Sequence, residues 1–280
     1  MRKLVTALSI VPMLLRAQSS LAQQPGNYLD HAEIQRVAAM VTVVANDPRP
    51  LHQALDAVRE EYGWSIDYED PPYQSGLELI DVTDPTWKAA HPTGFRAMNI
   101  RGGSFRTNYT ESAATATSAK EQALVIRKIV ADYNASGNPG QFIVRERADG
   151  RLEVVGTSVK HESGAPLRVA PILDMPITVP AGSMNLADAL TAILSALNAK
   201  SSAKVGGTGP TNLMIQTQVK LSGIETSARD ALHEVLSQAK IRLHWALLYD
   251  AGMQAYFLNV QMADRVEYDT FGHRHLELIR

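Results

Sequence analysis

The same succession of signals occurs twice in this chain, and that constrains its folding more than any single residue does. Thr42-Val-Val-Ala45 and Thr178-Val-Pro-Ala181 each precede a Leu-x-x-Ala-Leu helix start, Leu51/Ala54/Leu55 and Leu186/Ala189/Leu190. Further on, Thr117-Ser-Ala-Lys-Glu121 and Thr226-Ser-Ala-Arg-Asp230 each open a second helix that runs into a strand pair. A repeated strand, helix, second helix and hairpin fixes the folding unit before any candidate site is considered.

Within the first copy, Met40–Ala45 is rich in β-branched residues and reads as a strand. Asp47-Pro-Arg-Pro50 suits a helix start, where proline is tolerated. Leu51, Ala54, Leu55 and Val58 then recur at helical spacing up to Tyr62-Gly63, and Trp64–Tyr68 alternates as a strand. Ser118 with Glu121 forms a capping box for the second helix. The hairpin Gln141–Glu146 and Leu152–Val155 turns at Asp149-Gly150, a strong turn signal. In the second copy, Pro176–Val179 is the expected strand and Asn185 with Asp188 the cap. Leu186, Ala189, Leu190, Ile193, Leu194 and Leu197 form the apolar stripe. Met214–Leu221 alternates as a strand, Ser227 with Asp230 caps the second helix, and Arg242–Tyr249 with Gln254–Val260 closes the unit.

The first-helix leucines Leu51 and Leu186 lie 135 apart and the second-helix leucines Leu124 and Leu232 lie 108 apart, so the first copy carries about 27 extra residues. They are expected within Pro71–Ala116, a stretch rich in Pro, Gly, Thr and Asn. The resulting division is a segment 23–39, a first unit 40–159 with its insertion at 71–116, a linker 160–175, a second unit 176–262 and a tail 263–280. The fold class expected is α+β, each unit placing two helices against small mixed β-sheets.

Residues 1–22 read as a secretory signal peptide. A basic start (Arg2, Lys3) leads into the apolar run Leu4–Leu15, and Ser20-Leu21-Ala22 offers small residues for cleavage before Gln23. About a dozen apolar residues fall short of the ~20 that span a bilayer. Removing Arg2, Lys3 and Arg16 leaves 24 basic against 29 acidic residues. With that balance and no basic stripe, nucleic acid is not an expected partner. Cysteine is absent, which excludes disulfides, a cysteine-linked lipid anchor, thiol catalysis and thiolate metal sites. Burial of apolar surface must stabilise the chain instead.

Asn185-Leu-Ala-Asp-Ala-Leu190, Val219-Lys-Leu-Ser-Gly-Ile224, Ala231-Leu-His-Glu-Val-Leu236 and Ile241-Arg-Leu-His-Trp245 resemble the short N-terminal periplasmic domain shared by secretins and TonB-dependent receptors. The resemblance covers about Pro176–Val260, and the first copy matches it more loosely. It implies an exported bacterial module that contacts protein partners in the periplasm or outer membrane and performs no chemistry. The domain usually precedes a channel or barrel, whereas here about 20 residues follow Val260. The implied role is therefore binding, without a pore.

Residues with chemical potential are weighed against this. His273 and His275 could share a strand face as metal ligands, but a structural site needs about four ligands, and a solvated tail is expected. Asp67, Glu69 and Asp70 lack the spacing of a calcium loop and are expected at a solvated strand end. Ser201/Lys204 and Ser237/Lys240 match Ser-x-x-Lys, yet neither serine opens a helix and no Ser-Asp-Asn element accompanies them. Gly206-Gly-Thr-Gly209 lacks a phosphate-cradling ending. The glycosylation sequons at Asn108 and Asn134 are discounted on the bacterial resemblance. No catalytic, cofactor-binding or metal residue is assigned.

The aromatic residues Trp245, Tyr249, Tyr256 and Phe257 concentrate in the last hairpin and are the candidate partner-binding set, since a terminal hairpin can leave an edge open for strand addition. The leading expectation is thus a periplasmic adaptor that binds through sheet edges. Two alternatives stand beside it. One is a binder of small molecules or glycans in an aromatic cleft between the units. The other is a hydrolase with His91, Asp81 and Asp84 in the insertion.

Overall fold

A computed structural model of the chain describes residues 32–114, 118–269 and 274–279. Residues 1–22, expected to be a signal peptide, most of the segment 23–39 and His273 lie outside the described residues. The first unit runs β1 (Glu33–Val37), β2 (Met40–Ala45), α1 (Pro50–Tyr62), β3 (Ile66–Glu69), β4 (Leu79–Asp81), α2 (Pro85–Ala90), β5 (Met98–Ile100), β6 (Phe105–Thr110), α3 (Glu111–Ala114), α4 (Ala119–Ala135), β7 (Gln141–Glu146) and β8 (Leu152–Lys160). A short β9 (Pro166–Arg168) and a 3₁₀ turn at Ile172–Asp174 follow. The second unit is β10 (Pro176–Thr178), β11 (Gly182–Asn185), α5 (Leu186–Lys200), β12 (Lys204–Thr208), α6 (Thr211–Gln216), β13 (Gln218–Leu221), β14 (Glu225–Ser227), α7 (Ala228–Leu236), β15 (Leu243–Asp250) and β16 (Ala255–Met262), with β17 (Asp264–Tyr268) and β18 (Arg274–Leu278) after it. The class is α+β.

The same strand pairings occur in both units. In the first unit β2 pairs antiparallel with β6, β3 parallel with β8, and β7 antiparallel with β8. The second unit repeats each relation with β11–β13, β12–β16 and β15–β16. The helices start where local chemistry dictates. Asn185 Oδ1 accepts the Asp188 N–H at 2.8 Å, Ser227 Oγ that of Asp230 at 3.0 Å and Ser118 Oγ that of Glu121 at 3.3 Å. Each such cap is worth about 1 kcal/mol. Gly63 ends α1 in the left-handed region (φ 68°), returning its N–H to the Arg59 carbonyl.

Four expectations need correction. Met214–Gln216 is helical, forming the second half of α6 after Pro210, and the strand begins only at Gln218. A helix of six residues is too short to impose its period on the sequence, so the Met-Ile-Gln-Thr alternation reads as a strand. Leu124 is 56% exposed while Leu232 is buried, so the second helices align by their capping serines, 109 apart, which sets buried Ala123 opposite Leu232. The segment 160–175 is not free chain, since β9 pairs with the end of β8 and Ile172 and Leu173 are buried. Likewise the expected tail is not free chain, since β17 (Asp264–Tyr268) pairs with β18 (Arg274–Leu278) and lies along α1.

Each unit has its own apolar core. Leu51, Leu55, Val58, Ile126, Ile129 and Phe142 centre the first, and Leu186, Ile193, Leu232, Val235, Trp245 and Leu258 the second. The extra residues of the first unit lie between β3 and β6, forming the β4–β5 pair bridged by α2. They pack on the second core through Tyr73, Leu79 and Ile100. The units also share a sheet of strand order β12-β16-β15-β3-β8-β7, because β15 of the second unit pairs in parallel with β3 of the first.

Candidate functional site

The hairpin edge expected to be open is filled. β15 lies between β16 and β3, with the Asp70 N–H donating to the Leu247 carbonyl at 2.9 Å. Trp245, Tyr249 and Tyr256 are buried, and of the four candidate partner-binding residues only Phe257, 40% exposed, reaches the surface. The physical reason is alternation along β15. Leu243, Trp245, Leu247 and Tyr249 face the second core, while Ala246 and Leu248 face the first, so the strand is covered on both sides.

The acidic cluster is likewise not solvated. Asp67 and Glu69 are 0% exposed, because β3 turns Ile66 and Tyr68 into the first core and its two acids toward the second unit. There α7 supplies Arg229 and His233, four residues apart on one helical face. Buried Arg229 donates to Glu69 and to Asp174 (2.8 Å), stands 3.4 Å from Glu153 and lies over the Trp245 ring at 5.7 Å. His233 Nε2 is 2.6 Å from Glu153, and Arg145 grips Asp174 with two bonds of 2.8 Å. Asp67 accepts the Trp245 backbone N–H at 2.9 Å, and Asp70 accepts from Tyr249 N at 3.0 Å and Arg49 at 2.8 Å.

Burial pushes the Asp67 and Glu69 carboxyls up from the usual carboxylate range, against the pull of Arg151 on the first and Arg229 on the second. Burial acts in the same sense on Glu153 and Asp174. The hydrogen bond from His233 to Glu153 and those from Arg145 and Arg229 to Asp174 outweigh it and hold both low. The whole set forms a charged seam that clips the two units together.

A cleft of about 860 Å³ opens beside the seam, where the start of the insertion, the segment 170–176 and the last hairpin meet. Tyr73, Ile172, Asp174, Met175, Tyr249 and Tyr256 are among its walls.

No family model, curated protein or solved structure matches this chain. The functional reading therefore rests on the molecule's own geometry. Among the described residues no group of three or more His, Asp or Glu is arranged to hold a metal ion, and no helix is long and apolar enough to cross a membrane.

In the insertion the three titratable candidates have local work. Asp81 accepts from Lys88 and from the Thr83 N–H, and those bonds hold it well below the usual carboxylate range. Asp84 caps α2 through the Trp87 N–H at 2.9 Å. His91 stacks on Trp87 with ring centres 3.8 Å apart. The same segment exposes Leu77, Ile80, Val82, Trp87 and Phe95, each between 43% and 55%. It also touches the last hairpin. A Cβ on Gly252 would fall 2.3 Å from the Arg96 carbonyl oxygen, so only glycine allows that approach.

The acidic face of β3 and the Arg229/His233 pair are the residues that sequence reasoning missed. Alternation along Ile66-Asp-Tyr-Glu69 beside a helix bearing a cation and a histidine four residues apart was the available signal.

Proposed function

We propose that the chain is an exported, periplasmic protein-interaction module without chemistry of its own, and that its contact surface is the insertion of the first unit. The observation that carries this reading is the exposure of Leu77, Ile80, Val82, Trp87 and Phe95 within one 19-residue span. Exposed large apolar side chains gathered in one short segment mark interaction surfaces. Here they sit on a framed motif, pinned by the Asp84 cap, the Lys88–Asp81 ion pair and the β4–β5 ladder. Pre-organisation of that kind lowers the ordering cost of binding. The surface thus moves from the hairpin edge to the segment by which the copies differ.

The test is capture from the periplasm of the source cell with the unmodified protein and with Trp87→Ser/Phe95→Ser. Recovery of a protein partner by the first and its loss with the second, at unchanged melting temperature, is the expected result. Equal recovery by both would discard the insertion as the surface, and recovery of small molecules alone would discard the adaptor role.

A second reading is favoured by the cleft, whose volume suits a small ligand and whose walls combine Tyr73, Tyr249 and Tyr256 with Asp174. Native mass spectrometry of protein taken directly from the periplasm separates the two. A ligand lost on Ala203→Trp, which adds bulk to the cleft wall, would favour a small-molecule or glycan binder.

A further inference from the structure

Among the described residues the shared sheet ends in two strands with no outer neighbour, β12 on one side and β7 on the other. Unpaired edges invite strand addition by other chains, and proteins that stay soluble block them. Both ends are blocked here by the same device. Asn134 of α4 donates through Nδ2 to the Phe142 carbonyl at 2.8 Å and accepts the Phe142 N–H through Oδ1 at 3.0 Å. Asn198 of α5 donates to the Val205 carbonyl at 2.8 Å and accepts the Val205 N–H at 2.7 Å. On each edge a side-chain amide thus takes the outward-facing N–H and C=O of one residue, two main-chain bonds that an incoming strand would use there.

The duplication shows what happens where the device is missing. The offset of 135 that aligns Leu51 with Leu186 puts Gly63 opposite Asn198, so the β3 edge has no amide to cover it. The offset of 109 that aligns Ser118 with Ser227 puts Leu243 opposite Asn134, and α7 stops at Leu236, short of that position. The β15 edge is therefore uncovered too. These two uncovered edges are the ones that pair to join the units. By the duplication, β15 is the counterpart of β7 and β3 the counterpart of β12. The covered ends are thus the same two halves of a joint, presented at opposite ends of the molecule.

We infer that Asn134 and Asn198 are edge guards, and that the β7 and β12 edges beneath them are complementary docking surfaces for a second copy of this chain. The joint would repeat the internal β15–β3 pairing, strands parallel. It is heterologous, using different surfaces on the two partners, so each addition leaves one free end of either kind and growth continues as an open chain. The guards keep the protein a monomer.

Sedimentation velocity tests this with Asn134→Ala, Asn198→Ala and the double variant. Each single variant frees one edge and leaves its complement covered, so each alone is expected to sediment as the monomer, like the unmodified protein. An equimolar mixture of the two singles should reach twice the monomer mass and stop, because the remaining ends are guarded. The double variant should form species larger than the dimer that grow with concentration. A folded double variant that stays monomeric overturns the inference, as does self-association of either single variant, which marks general loosening. Loss of the cooperative melt in the double variant also counts against it, since it would give the two residues a packing role. Amide exchange needs no variant: Phe142 and Val205 should be protected in the unmodified protein, and rapid exchange at both would remove the guards.

Discussion

The two apolar cores and the charged seam between them obey opposite rules. Within each core the copies agree. Leu51 and Leu186 are both essentially fully buried at equivalent places, and the capped second helix of each lies over its own hairpin. At the seam the copies differ at every position that matters. The β3 acids Asp67 and Glu69 have no counterparts in the Lys204-Val-Gly-Gly-Thr208 strand, and Arg229 and His233 of α7 align with Lys120 and exposed Leu124 of α4. A duplicated fold keeps its stripes and caps because packing requires them. The joint between copies is free to acquire polar chemistry, and that chemistry makes the two units a specific pair.

Disrupting the seam should have the largest effect. Arg229→Met leaves Glu69 buried without its cation and removes one of the cations around Glu153, and losing one partner of a buried ion pair costs about 3–5 kcal/mol. Denaturant unfolding should show that loss and, because the seam couples the units, should broaden or split into two transitions. Adding Glu69→Leu to Arg229→Met should restore part of the stability, since removing both charges avoids an uncompensated ion. Were the double variant no more stable than the single, the seam would not be an electrostatic clip.

Next in size is the core comparison. Leu186→Ala should cost about 3 kcal/mol through lost burial and the cavity left behind. Leu51→Ala should match it to within about 1 kcal/mol if the two cores are equivalent. Both are readable as shifts of the denaturation midpoint at unchanged slope. A much smaller cost at Leu51 would mean that the insertion has altered how the first core carries load.

These residues also show what a single sequence can reveal. The caps at Ser118, Asn185 and Ser227 were legible because donor and acceptor lie within three residues of each other. The stripes were legible because helical spacing is local. The Asp149-Gly150 turn was legible for the same reason, and Gly150 has φ 85°. Asp67, Glu69 and Asp70 read as solvated because the residues that bury them are distant in the chain, Arg229 lying 160 positions from Glu69 and Trp245 178 from Asp67. Trp245 and Tyr249 read as a free edge because the pairing of β15 with β3 is equally non-local. Alternation shows that a strand has two faces, but it does not say what covers either. The Asn guards were invisible for that reason, since Asn134 and Asn198 look like ordinary polar residues at helix ends.

The smallest expected effect is a dependence on pH, arising where β15 serves both cores at once. His244 lies between Ala246 and Leu243 on that strand, 2% exposed, its Nε2 bonded to Gln261 at 2.9 Å and its Nδ1 without a partner. Burial, aided by the nearby Arg59 charge, pulls its pKa down from 6.5 to about 3. The imidazole is therefore neutral in the folded chain at pH values where the unfolded chain is protonated. Between about 6.5 and 3 the unfolded state binds the extra proton, so stability falls as pH falls through that window and is fully retained above it. The slope from one such group approaches about 1.4 kcal/mol per pH unit near pH 5. Replacing His244 with Gln keeps a side chain able to bond Gln261 but removes the titration. Stability curves of the two proteins, measured from pH 7 to pH 4, should diverge toward acid, with the variant the flatter. Parallel curves would shift the acid sensitivity to the seam carboxylates, and so from the strand shared by the cores to the joint between them.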